Sequence, residues 1–87
     1  MPYIDRYLRI KYDESIRKIV RELADSEKSG EITYVLFSVL SELCKLRGKE
    51  LNYEYLNSLL GSIECAKSEY VKRILEPYED QKLIGSW

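Results

Sequence analysis

The 87-residue chain carries 15 Asp and Glu side chains and no histidine, so any metal or acid–base chemistry would have to be built from carboxylates. Oxygen ligands suit a hard cation such as magnesium, which helical nucleotide hydrolases hold between acids on facing helices. The acids on or near the second and third predicted helices are Glu42, Glu64, Glu69, Glu76, Glu79 and Asp80. A shared ion needs carboxylates one turn apart on one inward face. Glu64 and Glu69 are five positions apart, about 140° round a helix, and cannot share an ion alone. A magnesium-dependent nucleotide hydrolase would therefore need a site formed across a dimer, drawing on Glu42, Glu64 and Glu69. The plainer reading is that these acids are solvated.

Other chemistries fare no better. Cys44 and Cys65 have no histidine to activate a thiolate, and two cysteines are too few for a disulfide framework. Gly48 and Gly61 belong to no phosphate-cradling pattern. The 14 cations are balanced to a net charge of −1, which argues against a nucleic-acid footprint, and the eight tyrosines read as packing and interface residues. No catalytic, cofactor or metal residue is expected, and an enzyme is the less favoured reading.

One polar cluster stands out. Steps of about 100° place Lys67 among Ile63, Tyr70, Val71 and Ile74, with Glu64 one turn back. Asn57, Gly61, Glu64 and Ser68 form an adjacent small or polar stripe that lets another helix come close. Lys67 either lays its stem along apolar surface with its head in water, or pairs with Glu64 at a seam between protomers.

The elements that position these residues are helical. Residues 1–12 read as an N-terminal arm, and Asp13 as the cap of a first helix over 13–26 with the stripe Ile16, Ile19, Val20, Leu23. Residues 27–30 read as a loop. The stretch Ile32–Phe37 has strand propensity, but Ile32, Val35, Leu36, Val39, Leu40, Leu43 and Leu46 keep a 3–4 period, so a second helix is expected over 31–47, stopped by Gly48. Asn52 caps a third helix over 53–76, with Leu51 and Leu56 as a staple and Pro77 as its stop. Residues 77–87 form an apolar tail. The expectation is one all-α domain, a three-helix bundle-like core with a long third helix, completed by dimerisation.

The partner follows from lengths. A third helix of about 24 residues is ~36 Å long, whereas a compact chain of this size is about 30 Å across. Its apolar stripe runs on through Tyr70, Ile74 and Leu75, and two shorter helices cannot cover all of it. A two-fold dimer is the commonest remedy, with another protein as the other partner. The longest apolar run, Val35-Leu36-Phe37, is far too short for a membrane span, and no secretory leader is read, so the expected location is the cytoplasm. The Lys/Glu-rich composition has a thermophilic cast.

The chain also resembles a family of small uncharacterised proteins from prokaryotes and their viruses. The matching stretches are Met1-Pro2-Tyr3-Ile4, Gly30-Glu31-Ile32-Thr33-Tyr34-Val35, and a run from Leu56-Asn57 through Gly61, Glu64-Cys65, Lys67, Glu69-Tyr70 and Arg73 to Pro77-Tyr78-Glu79-Asp80 and Lys82. It departs at Ile84-Gly85-Ser86-Trp87, where similar proteins carry Asn-Gly-Asp. The resemblance implies a fold and a source, not a reaction. It puts Asn57, Glu64, Lys67, Glu69, Tyr70 and Arg73 on motif positions, the candidate polar cluster or interface of a self-associating assembly protein.

Overall fold

Helix formation begins at Asp5, eight residues before the expected cap. In the computed structural model, which describes residues 4–26 and 28–86 (for 84–86 the backbone only), the Asp5 carboxylate accepts the Leu8 N–H at 3.1 Å. Helix α1 runs Arg6–Ala24, so most of the expected arm is helical and Asp13 is an interior residue, not a cap. The reason is cooperativity: no Gly or Pro separates Asp5 from Asp13, and once a nucleus exists each further residue adds a bond. Met1-Pro2-Tyr3 of the expected arm, Glu27 of the expected loop, and the Ile84 and Trp87 side chains of the expected tail lie outside the described residues.

Ser26 shortens the following loop. Its N–H donates to Leu23 O at 2.9 Å, and its hydroxyl oxygen accepts the Lys28 N–H at 3.1 Å while the O–H donates to the Glu31 carboxylate. With those groups satisfied, α2 opens at Ser29 and runs Ser29–Arg47, taking Ser29 and Gly30 out of the loop. Its β-branched and aromatic start is helical throughout. Here the period of the apolar residues outweighs their intrinsic preference.

Gly48 then takes φ +56°, the left-handed region where a side chain would crowd the backbone, and opens a 3-10 turn over Gly48–Glu50. Asn52 caps α3 (Tyr53–Tyr70) by accepting the Tyr55 N–H at 2.9 Å.

Pro77 does not end the helical path. A π-helical turn spans Val71–Leu75 and passes directly into α4, Glu76–Ser86. Glu76 keeps helical angles, φ −62° and ψ −46°, where an extended conformation was expected. In the wider turn its N–H donates to Val71 O, five residues back. That spacing relieves the clash a proline ring makes with the carbonyl four residues back, and Pro77 falls in the first turn of α4, where its missing N–H costs little. The expected tail is therefore largely helical.

The fold is all-α, with no strand among the described residues. It divides into two units, Met1–Ser41 and Glu42–Trp87. Neither unit contains a buried side chain among its described residues.

Candidate functional site

The six residues of the polar cluster lie on α3 and the π-turn. Glu69 and Arg73 meet: the Arg73 Nε is 2.6 Å from a Glu69 carboxylate oxygen, across the junction where α3 gives way to the wider turn. Both remain partly exposed, so the pair is screened and contributes only tenths of a kcal/mol up to about 1 kcal/mol.

Glu64 and Lys67 share a surface without touching. Together with Ser68, Val71, Lys72 and Glu76 they line a shallow groove of about 240 Å³ along the π-turn. No ion pair joins them within the chain. Asn57 and Tyr70 are exposed and take no part in either arrangement.

Apolar surface dominates the rest of this segment. Leu56, Leu60, Ile63, Tyr70, Ile74 and Leu75 are all exposed, as are Ile32, Leu36, Phe37, Val39 and Leu46 on α2.

Two features escaped the sequence reading. The Arg47 guanidinium stacks on the Tyr55 ring, 4.0 Å from its centroid, joining the end of α2 to the first turn of α3. Its only signal was a cation and an aromatic flanking a Gly and an Asn. Within the first unit, Ile19, Glu22, Leu23, Gly30, Glu31, Tyr34 and Val35 line a hollow of about 300 Å³ where α1 turns into α2. It depends on the Ser26 turn, which spacing alone does not reveal.

The acids that a magnesium site would use are dispersed. Among the described residues no group of three or more Cys, Asp or Glu side chains could hold a metal ion, and Glu69 is engaged by Arg73. Cys44 is half-buried and Cys65 exposed, both as free thiols. No described helix is long and apolar enough to cross a membrane.

No curated protein and no solved structure matches the chain. A match to the family described as Domain of unknown function (DUF6899) covers residues 1–86, both units and the whole polar cluster, and the chain belongs to that family.

Proposed function

We propose that this protein is a non-catalytic assembly module that acts as a homo-oligomer, most simply a dimer, whose copies cover one another's apolar helix faces. The observation that carries this reading is the complete lack of buried side chains among the described residues of a chain that is 45% hydrophobic. Leu36 and Phe37 in mid-α2 are 64% and 67% exposed. Each such side chain is worth about 1.5–3 kcal/mol when taken out of water. An isolated helix near 19 residues is itself marginal in water, so α1 and α2 need that burial to persist.

The hydrolase reading draws no comparable support, because its carboxylates are spread over different faces. The module is proposed to work in the cytoplasm of a prokaryote or of a cell infected by one of its viruses. Two free thiols and the sequence resemblance are what favour that setting.

Thermal unfolding followed by circular dichroism over a hundredfold range of protein concentration tests the proposal. Association that stabilises the fold makes Tm climb with concentration. A cooperative transition with a Tm that stays constant across the range would overturn it.

A further inference from the structure

Resting on the self-association just proposed, we infer that two copies pair antiparallel through α3, with each Glu64 meeting Lys67 of the other copy. Two observations lead there.

First, α3 and the π-turn carry a stripe of exposed apolar side chains, Leu56, Leu60, Ile63, Tyr70, Ile74 and Leu75. Second, Glu64 and Lys67 sit together on the groove at the edge of that stripe, opposite in charge, without an ion pair to each other or to another described residue.

Reversing one copy against the other about the level midway between Glu64 and Lys67 sets Leu56 toward Ile74 and Leu75, and Leu60 toward Tyr70 and Val71. The same reversal sets Glu64 opposite Lys67 twice, once on each side of the axis. A parallel, in-register pairing would instead bring Glu64 to Glu64 and Lys67 to Lys67, like charge against like. Complementary charge at the edge of an apolar seam is the usual device that selects one orientation over another. The antiparallel arrangement satisfies both the apolar and the charged groups; the parallel one satisfies only the first. Glu69 and Arg73 stay outside the seam, already paired within their own helix.

Charge exchange tests the register. Glu64→Lys alone and Lys67→Glu alone each replace two attractions with two repulsions and weaken dimerisation about tenfold in sedimentation equilibrium. The double exchange, Glu64→Lys with Lys67→Glu, restores most of the lost affinity. If the wild type dimerises but the double exchange is no tighter than the single variants, the antiparallel seam is wrong while self-association stands. A wild type that stays monomeric removes both.

Discussion

The Arg47 guanidinium lies 4.0 Å from the centroid of the Tyr55 ring, and this stack closes the turn between α2 and α3. Between them stand the two residues that shape the turn, Gly48 with its positive φ and Asn52 with its side-chain cap. The contact clasps a turn whose backbone is already committed. Arg47→Ala is expected to lower stability by about 0.5–1 kcal/mol, the usual worth of an exposed cation–π contact. Tyr55→Leu should cost a similar amount, and the double variant should lose less than the two together. Urea unfolding of the four proteins measures this, and strict additivity would show that the stack contributes nothing.

Gly48 and Gly61 make a paired test of backbone conformation. Gly48→Ala forces a side chain into the left-handed region and is expected to cost about 1–2 kcal/mol. Gly61 lies inside α3 with nothing within 4 Å of an added methyl group, so Gly61→Ala should stabilise by about 0.5–1 kcal/mol. Opposite signs in the same denaturation assay are the expected result.

Asn52→Ala removes the oxygen that receives the Tyr55 N–H and should cost about 1 kcal/mol. Asn52→Asp keeps the acceptor and adds a negative charge at the helix N-terminus, so it should hold or slightly raise stability. The same thermal melts read both variants.

Pro77→Ala addresses the π-turn. If the widened turn exists because Pro77 cannot sit in a regular α-helix, removing the ring lets an ordinary register run from α3 into α4. Stability is then expected to rise by roughly 1 kcal/mol, with slower amide exchange over residues 72–80. Faster exchange there would mean that the proline holds the turn in place.

The repeating apolar positions of α2 and α3 made both helices legible, even where Ile32–Phe37 favoured a strand. A period summed over four turns outweighs local preference. Asn52 and Gly48 were legible for a related reason: each side chain, or its absence, acts on its own backbone. The misread points all depended on competition between neighbours. Asp13 was a sound cap in isolation, but Asp5 starts the helix first and leaves it no free end to satisfy. Pro77 was a sound stop, but a five-residue hydrogen-bond spacing lets the helix accommodate it. At the candidate site, Glu69 and Arg73 were singled out only as motif positions of the resemblance, and their pairing across one turn went unread. Glu64 and Lys67, three positions apart, line one groove without forming an ion pair to each other.

Sedimentation equilibrium of the wild-type protein at micromolar concentration asks most directly whether a second copy covers the open helix faces. The account predicts a mass that is a whole multiple of 10.3 kDa, most simply twice that value, falling toward one copy only on dilution. A well-folded species that holds at 10.3 kDa throughout would contradict it.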